Sequence, residues 1–444
     1  MPEGLSETGA IERSPLVRAE AIRILAEVEA GGWSDRLLQA REAALADPRE
    51  RRFLHILVLN TLRWQGALDR VLAPQVHGGL ARVQPRVRAA LRLGVAQAVL
   101  LGRPAAIAAD STVHALRSID GPRPAGLVNA VLRQLFSKDL PPMEESATLP
   151  AWLVRRWTRQ FGEADALAIV QAVNRPARPF VVARPDRGGR DTLAAALALE
   201  GVDTRPARRH PWGLLVRRGA PQETDAFRRG DFLLLDEAAA LVALLATPAD
   251  DRAVADLAAA PGGKAALLAQ AAPGGVVSLE LVPTRLAALA EVLALRAPAR
   301  RTGSILADAL HPPLAREAFG LVLLDAPCSG TGTLRRRPEK RHRLKPADIA
   351  DCAQRQAAML DRAAELVGPG GALVYSVCSL EPEEGIEQVK SFLARDPRFA
   401  AADPLQWLGE AARDVVVGDP PVLATRPDLQ DMDGFVAARL RRVS

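Results

Sequence analysis

The stretch LVLLDAPCSGTG, Leu321 to Gly332, decides the fold of this chain. Its leading apolar residues predict a strand that is buried on both faces, and the proline and glycines after Asp325 end that strand. A second apolar run, GGALVYSVCS from Gly370 to Ser379, reaches Cys378 near its end. Because ligands bind at the carboxyl ends of strands in open α/β sheets, we expect Cys328 and Cys378 to lie at one edge of a sheet.

The segment around these two runs alternates between strand and helix patterns from Asp236 onward. Strands are predicted at 253–257, 276–281, 304–307, 321–324 and 372–376. Helices are predicted between them, at 237–245, 264–271, 284–295 and 346–367. The tail, 434–440, is predicted to form a last strand at an edge of the sheet. This alternation is typical of a doubly wound sheet, so residues 236–444 are predicted to form a Rossmann-like α/β domain.

Residues 1–140 carry apolar side chains at helical spacing and are predicted to form an all-α domain. Ser14 and Ser34 are placed to cap its first two helices, and proline-rich breaks occur at 103–104 and 121–124. The predicted helices are 15–30, 35–46, 49–72, 85–101, 107–117 and 127–136. A helical domain without a catalytic constellation suggests binding; the alternative is a structural cap on the rest of the chain.

The middle of the chain, 141–235, follows a polar, proline-rich linker and is predicted to form a small α+β domain. Its predicted helices are 150–160, 163–173 and 191–200, and its predicted strands are 180–183, 212–216 and 232–235. The segment is rich in arginine, which suits a platform along which RNA lies. The alternative is an ordinary solvated surface.

Charge and composition favour a nucleic-acid partner. The chain has 444 residues and a formal net charge of +6, and only five of its 58 lysines and arginines are lysines, so the other 53 are arginines. Arginine binds phosphate in a bidentate manner and stacks on bases, which favours RNA or DNA. The alternative is that genomic base composition alone enriches the chain in alanine and arginine.

The three cysteines, Cys328, Cys352 and Cys378, are too few and too far apart for a disulfide framework or a zinc site, so no metal is predicted. The first residues lack the basic-then-apolar profile of a signal peptide, and no apolar run approaches the length of a membrane span. We therefore expect a cytoplasmic protein without a membrane partner, in which the thiols stay reduced.

A cofactor site is predicted at the first strand–turn–helix unit of the α/β domain. Glu280, at the end of the next predicted strand, is well placed for ribose hydroxyls, and Asp308, after the third, could accept from an adenine amino group. The turn matches neither a P-loop nor GxGxxG, so phosphate binding is not favoured. Its small residues let a ligand approach the backbone before Lys264 opens the helix; they are Ala258, Ala259, Ala260, Pro261, Gly262 and Gly263. Together these features predict an adenosine-bearing cofactor.

The two cysteines suit one reaction. Carbon 5 of a pyrimidine is too weak a nucleophile to take a methyl group from a sulfonium unless a thiolate first adds at carbon 6. Asp325 is the candidate to stabilise the protonated ring near N3, and a second sulfur could assist the release of the product. The residues alone do not say which sulfur attacks. The alternative is that both cysteines are buried structural residues.

Three motifs resemble the signature of the NOL/NOP/Sun family of RNA cytosine-5 methyltransferases. They are DLAAAPGGK at 256–264, DAPCSGTG at 325–332, and YSVCS at 375–379 followed by EPEE. The amino-terminal region resembles NusB-like RNA-binding domains in RERRFLHILVLNTLRW at 49–64, VRAALRLGVAQ at 87–97 and GLVNAVLR at 126–133. Together, the motifs and this domain are similar to the bacterial Sun/Fmu type, over roughly residues 14–440.

The resemblance implies a role for each matching residue. Cys378 would be the nucleophile, Cys328 would help to release the product, and Asp325 would lie between cofactor and base. Ala258 to Lys264 would hold S-adenosylmethionine, with Glu280 at its ribose and Asp308 near its adenine. Two further implications concern RNA: Asn129 and Arg133 are candidate contacts, and Arg337-Pro338-Glu339 resembles a loop that lies over the target site.

The chain departs from the family pattern at three single positions and in one tripeptide. Ala258 stands where the family usually has cysteine, Val377 where it has threonine, and Gly385 where it has asparagine. Neither of the first two side chains is needed for the chemistry above. The family's Arg-Val-Asn reads Val182-Ala183-Arg184 here, which weakens any prediction of RNA contacts at that point.

Members of the Sun/Fmu type methylate small-subunit ribosomal RNA, so the resemblance implies S-adenosylmethionine-dependent methylation of carbon 5 of a cytosine in 16S ribosomal RNA. We expect the protein to act as a monomer. The target base must be unpaired or flipped out to reach the thiols. Two alternatives stay open: a cytosine-5 methyltransferase that acts on tRNA or DNA, and a non-catalytic RNA-binding assembly factor. Retention of both cysteines, Asp325 and the APGG turn argues against the second.

Overall fold

The computed structural model describes residues 15–298 and 300–443, and the chain divides into two compact units. The first unit comprises the chain up to Arg175 together with Leu334–Arg343, and the second comprises Pro176–Thr333 and the chain from Leu344 onward. The predicted cap Ser14 lies outside the described residues. No helix within the described ranges is long and apolar enough to cross a membrane.

The first unit is helical, as predicted. Its helices are α1 (Pro15–Glu29), α2 (Ser34–Glu42), α3 (Pro48–Leu72), α4 (Pro85–Val99), α5 (Ala105–Asp120), α6 (Pro122–Phe136), α7 (Ala151–Phe161) and α8 (Glu163–Val173). α1 packs against α3, α4 and α5 and buries Val17, Ile22 and Ile24 completely. The Asp47 side chain caps α3 by accepting from the Arg49 N–H. Pro48, like the first residues of α4 and α6, shows the preference of proline for the first helical turn.

Two details of the predicted helices are wrong. Ser34 is not an N-cap: Trp33 holds that position, and Ser34 is the first residue of α2. The main-chain N–H and the Oγ of Ser34 instead donate to the buried Glu339 carboxylate, each at 3.0 Å. The predicted break at 121–124 is shorter than expected: Gly121 alone separates α5 from α6, and Pro122 already begins α6.

The second unit begins with a four-stranded antiparallel sheet in the order β2-β3-β1-β4. Its elements are β1 (Phe180–Ala183), α9 (Gly189–Leu199), β2 (Asp203–Pro206), β3 (Gly213–Arg218), α10 (Asp225–Arg228) and β4 (Phe232–Leu235). α9 packs Leu193 and Leu197 against Val181 and Leu214. The sequence did not predict β2, because its polar residues DTRP are at least partly exposed and lack the apolar pattern of a strand.

The rest of the second unit is a mixed nine-stranded sheet with helices. Its first half contains α11 (Glu237–Leu245), β5 (Val254–Asp256), α12 (Gly263–Ala271), β6 (Val276–Glu280), α13 (Pro283–Arg296), β7 (Thr302–Leu306) and β8 (Phe319–Asp325). There follow α14 (Lys340–Arg343), which belongs to the first unit, then α15 (Pro346–Leu366), β9 (Val367–Val377), α16 (Ile386–Arg395), β10 (Phe399–Ala401), α17 (Leu405–Leu408), β11 (Val416–Val417), β12 (Val422–Ala424), α18 (Pro427–Gln430) and β13 (Val436–Arg442).

The strands of this sheet run in the order β11-β12-β13-β9-β8-β5-β6-β7, and those from β9 to β7 are parallel. Alternate residues of β8 face opposite sides: Leu321 and Leu323 pack with α11 and α12, whereas Val322 and Leu324 pack with α15. Because both faces are covered, β8 reads as a continuous apolar run, as predicted. The parallel strands therefore bring the ends of β5, β6, β8 and β9 to one edge of the sheet.

The prediction that the tail forms an edge strand is wrong. β13 lies between β9 and β12, is antiparallel to β9, and also pairs with β10. The strands that extend the sheet beyond β13 are only two or three residues long. Segments this short carry no periodic signal, so the sequence does not reveal that they cover the tail.

The segment Leu334–Arg343 inserts a fully buried arginine into the first unit. The Arg341 guanidinium donates to the Asn174 Oδ1 at 2.8 Å and to the main-chain oxygens of Arg63, Val173 and Leu334 at 2.9–3.2 Å. Burial, and to a smaller extent the positive charge of Arg63, lower the pKa of Arg341 to about 9. The side chain therefore remains cationic at neutral pH. Four acceptors in three parts of the chain depend on this one side chain.

We expect Arg341→Ala to lower the free energy of unfolding of the first unit by about 3–5 kcal/mol, because it strands several buried acceptors at once. Four of the six tryptophans, Trp33, Trp64, Trp152 and Trp157, lie in this unit, so urea unfolding of the full chain followed by tryptophan fluorescence reports the change. Arg52→Ala, at an exposed position of α3, is the control and should stay within about 0.5 kcal/mol of wild type. Equal unfolding midpoints for the two variants would contradict the assignment.

Candidate active site

Two cysteine thiols meet where β8 and β9 end. β8 delivers Cys328 three residues after Asp325, and β9 delivers Cys378 directly after Val377. Their Sγ atoms lie 3.2 Å apart, and both residues are partly exposed although the strands that carry them are buried. The structure thus confirms the prediction that the two cysteines lie together at one edge of the sheet. The third cysteine, Cys352, lies on α15.

Asp325 is fixed beside the thiols by two partners. Its Oδ2 accepts from the Lys264 Nζ at 2.8 Å, and its Oδ1 accepts from the Ser376 Oγ at 2.5 Å. Burial alone would lower the pKa of Lys264, but Asp325, Cys378 and Asp256 together outweigh burial and raise that pKa above its ordinary value. Lys264 therefore stays an ammonium group, and it places a fixed positive charge between the glycine turn and the cysteines.

The predicted cofactor turn, Ala258 to Lys264, joins β5 to α12. Gly262 has φ +111°, in the left-handed region that favours glycine, and a Cβ on it would lie 2.9 Å from the Leu289 side chain. A Cβ on Gly263 would lie 2.3 Å from the Leu235 side chain. The backbone conformation of Gly262 therefore favours glycine whatever the ligand, and a side chain at Gly263 would have to displace the end of Leu235.

The other predicted cofactor residues follow the next two strands. Glu280 ends β6; its Oε1 accepts from the Val282 N–H at 3.0 Å, and its Oε2 lies 3.5 Å from the Arg285 Nε. Asp308 follows β7, and its Oδ1 accepts from the Leu310 N–H at 2.9 Å. Since β5, β6, β7 and β8 are parallel neighbours, all the predicted site residues follow strands that end at one edge of the sheet.

Asp256, at the end of β5, is a site residue that the sequence analysis did not select. Its side chain is buried with 1% exposure, and neither carboxylate oxygen has a hydrogen-bond partner among the described residues. Burial, followed by the charge of Asp325, raises the pKa of Asp256 to about 7, although Lys264 and the nearby Ala258 N–H oppose the shift. A carboxylate that is buried without a donor is suited to receive a cationic group from a ligand. Its place at the end of the first strand, directly before the turn, was the signal available in the sequence.

The stability of the ligand-free protein should depend on pH through Asp256. Because the pKa is about 7 in the native state and about 3.9 when unfolded, the native chain binds more protons between these values, and the free energy of unfolding falls as pH rises through that window. Asp256→Asn removes this loss. We expect the variant to match wild type below pH 4 and to be about 4 kcal/mol more stable above pH 7.

Urea unfolding followed by circular dichroism from pH 4 to pH 8 measures this difference. Asp250→Asn provides a control of opposite sign, because the hydrogen bond from Arg252 lowers the pKa of Asp250 and its stabilisation is lost as pH falls. A difference between Asp256→Asn and wild type that does not change with pH would contradict the environment described for Asp256.

Comparisons with known proteins cover the whole chain. Three family descriptions match it in order: the NusB family at residues 16–137, a ferredoxin-like domain of RsmF/B-like methyltransferases at 149–223, and 16S rRNA methyltransferase RsmB/F at 242–441. The ferredoxin-like match begins at residue 149 and so includes α7 and α8. In the structure these two helices belong to the first unit. These matches confirm a helical NusB-like domain, a small middle domain and a mixed-sheet methyltransferase domain.

Full-length relatives and solved structures agree with these matches. Ribosomal RNA small subunit methyltransferase B of Xylella fastidiosa (strain 9a5c) is 34% identical over 426 residues, covering 95% of this chain and 99% of that protein. The protein of the same name from Thermus thermophilus is also 34% identical, covering 97% and 99%. The crystal structure of PH0851 shares the fold, with a TM-score of 0.82, 24% identity, and coverage of 96% and 99%. The resemblance to the Sun/Fmu type is thereby confirmed: this chain belongs to the family of ribosomal RNA small subunit methyltransferase B.

Proposed function

We propose that this protein transfers a methyl group from S-adenosylmethionine to carbon 5 of a cytosine in 16S ribosomal RNA, through a covalent adduct between Cys378 and carbon 6. The observation that carries the proposal is the pair of Sγ atoms 3.2 Å apart beside Asp325 and its Lys264 partner. Two thiols at a ligand-binding sheet edge suit a reaction in which one sulfur adds to the ring and another assists its release.

The residues of the edge fit S-adenosylmethionine. The turn from Ala258 to Lys264 would hold the cofactor, Glu280 has a free lone pair for the ribose hydroxyls, and Asp308 would lie near the adenine. The unpartnered, buried Asp256 carboxylate would receive the α-ammonium group of the methionine portion, which matches it in charge and hydrogen-bonding capacity. When bound, the cofactor supplies an electrophilic methyl group on a sulfonium.

The protein residues would act in a fixed order. The Cys378 thiolate forms a bond to carbon 6, and the ring electrons move toward carbon 5 and N3. N3 takes up a proton from solvent as the thiolate adds, and the Asp325 carboxylate accepts a hydrogen bond from that N3–H while Ser376 and Lys264 hold the carboxylate in place. After methyl transfer a base removes the proton from carbon 5, and the bond from carbon 6 to sulfur breaks. Cys328 assists this release, and Cys378 returns to the thiolate.

RNA is the substrate class that the rest of the chain supports. The relatives from Xylella fastidiosa and Thermus thermophilus are named as ribosomal RNA small subunit methyltransferases, and the amino-terminal helices match the NusB family. Arg205, Arg217 and Arg218 are exposed on the middle sheet, and Arg133 is exposed on α6 beside the half-buried Asn129. Such arginines bind phosphate without reading sequence. The proposal includes a cytoplasmic location and action as a monomer.

The test is methyl transfer to separate RNAs. We expect tritium from methyl-labelled S-adenosylmethionine to appear in 16S ribosomal RNA and not in tRNA or DNA, and bisulfite sequencing to find one protected cytosine. Free transcript and 30S particles should be assayed in parallel, since either form of the RNA could be the substrate. Label confined to tRNA or DNA would replace the substrate in this proposal. Absence of label from all acceptors would leave an RNA-binding protein without this activity.

A further inference from the structure

We infer that Glu384 is a positioning residue that holds the two catalytic thiols at their working separation. It makes more hydrogen bonds to the loop of Cys328 than to the loop of Cys378. The inference rests on the proposed function, because it concerns how that reaction is divided between the two sulfurs. Glu384 follows Cys378 by six residues, has no exposed surface, and lies in the short connection between β9 and α16.

The Glu384 carboxylate binds both cysteine-bearing loops directly. Its Oε1 accepts from the Ser329 N–H at 2.7 Å, and its Oε2 accepts from the hydroxyls of Ser329 and Ser379. These two serines follow Cys328 and Cys378 immediately in the chain. One carboxylate therefore makes two bonds to the residue after Cys328 and one bond to the residue after Cys378.

A second layer of hydrogen bonds holds the carboxylate itself. The Gln356 Nε2 donates to the Glu384 Oε1 at 3.2 Å and to the Pro327 main-chain oxygen at 2.9 Å, and the Tyr375 hydroxyl donates to the Glu384 main-chain oxygen at 2.5 Å. Thr331 links the loops again: its Oγ1 lies 3.2 Å from the Ser379 Oγ and accepts from the Leu380 N–H at 3.0 Å. Both side-chain oxygens and the main-chain oxygen of Glu384 therefore accept hydrogen bonds from neighbouring residues.

The loop that carries Cys328 is also joined to β9 and the segment after it through the main chain. The main-chain ladder between β8 and β9 continues to Ala326, whose N–H donates to the Ser376 oxygen at 2.8 Å, and the loops meet again where the Gly332 N–H donates to the Cys378 oxygen at 3.1 Å. Cys328 lies between these two points. Cys378 follows β9 directly and its own carbonyl is one of the two anchors. Between these points, Glu384 holds the residue directly after Cys328 through two bonds, and Gln356 holds the residue directly before it through the Pro327 oxygen.

This asymmetry predicts which step suffers when the carboxylate is changed. A glutamine side chain at position 384 has the shape of glutamate, but an NH₂ group replaces one of the two carboxylate oxygens. This group cannot accept hydrogen bonds, so part of the bonding to Ser329 and Ser379 is lost. Cys328 would drift more than Cys378, so release should slow more than attack. A misplacement of about 1 Å costs on the order of 100-fold in rate, so a 10- to 100-fold fall in kcat is expected.

The experiment compares Glu384→Gln with Glu387→Gln, an exposed glutamate three residues on in α16. Methyl transfer from labelled S-adenosylmethionine to 16S ribosomal RNA gives kcat and the KM values, and a denaturing gel gives the fraction of protein in a covalent RNA adduct. For Glu384→Gln we expect kcat to fall about 10- to 100-fold, the KM for RNA to fall with it because the enzyme accumulates as the covalent complex, and more adduct. Glu387→Gln should match wild type in all three.

Two results would overturn the inference. One is a Glu384→Gln enzyme with the kcat and adduct fraction of Glu387→Gln. The other is a loss of activity with less adduct and a lower melting temperature, which would mark a merely structural role. Should Glu384→Gln fail to fold, Ser329→Ala removes one of its bonds at the Cys328 loop and must show the same increase in adduct. Failure of the proposed function is distinct: Cys378→Ala would then still methylate RNA.

Discussion

Cys378→Ala is expected to abolish methyl transfer, lowering the rate by at least about 10⁴-fold, as loss of a covalent nucleophile does in other enzymes. Cys378 follows β9 at the sheet edge, where its Sγ lies 3.2 Å from that of Cys328, and the proposed mechanism gives it the attack on carbon 6. Alanine cannot add to the ring, so carbon 5 stays too weak a nucleophile for the sulfonium methyl group. Bisulfite sequencing of RNA incubated with the variant should show complete conversion of the target cytosine.

Cys352→Ala is the matched control for this experiment. Cys352 is the remaining cysteine of the chain; it lies on α15, and the mechanism gives it no role. We expect this variant to methylate at the wild-type rate. If the Cys378→Ala variant still protected the target cytosine from bisulfite, the assignment of the nucleophile would be wrong, and Cys328 would be the candidate instead.

Cys328→Ala is expected to have the opposite signature: a covalent protein–RNA complex that accumulates. Attack by Cys378 does not need the second sulfur, but release of the product does, so the reaction should stop after methyl transfer. The complex should resist denaturant and appear as a slowly migrating band on a denaturing gel. It should carry label when the cofactor is labelled in its methyl group, because the methyl has already reached the base.

The double variant Cys328→Ala, Cys378→Ala is the control, and it should form no complex. A band that persists in the double variant would come from another nucleophile. Full turnover by Cys328→Ala, without any retained RNA, would remove the release role and would leave the 3.2 Å approach of the two sulfurs without a function in this mechanism.

The sequence predicted the parts of the fold that local patterns determine. The long apolar run of β8, and the prolines and glycines after it, placed one cysteine at the end of a buried strand, and the same logic applied to β9. The juxtaposition of Cys328 and Cys378 followed, because neighbouring parallel strands end at the same edge. The glycine turn was also visible, although Gly262 and Gly263 are explained by packing against Leu289 and Leu235 as much as by a ligand.

Features that depend on distant partners were beyond the sequence. Ser34 has the residue type and position of a helix cap, but Glu339, 305 residues away in the chain, takes its hydroxyl. The tail strand looked like an edge because β10, β11 and β12 are too short to be read from periodicity. The loop Arg337-Pro338-Glu339 also has partners that are distant in the sequence. Glu339 accepts hydrogen bonds from Ser34, and Arg337 forms an ion pair with Asp35, both within the first unit.

The missed site residues share a physical reason. Asp256 becomes unusual only once folding buries it without a donor, and Glu384 only once Ser329, Ser379 and Gln356 converge on its two oxygens. A sequence shows the acidic residue but not its desolvation or its donors. The roles of the predicted site residues themselves remain predictions, which the cysteine variants above are designed to test.

The segment Leu334–Arg343 has a consequence for biosynthesis. A ribosome completes the amino-terminal helices long before it reaches Arg341, so during translation the acceptors at Arg63, Val173 and Asn174 wait without their donor. The nascent helical unit is therefore incomplete until much of the methyltransferase sequence has also been made, and a gene fragment ending at Arg175 would encode its helices without the buried arginine. The two units are consequently not exchangeable modules. A gene fusion that moved the amino-terminal helices to another protein would also have to move the ten residues Leu334–Arg343.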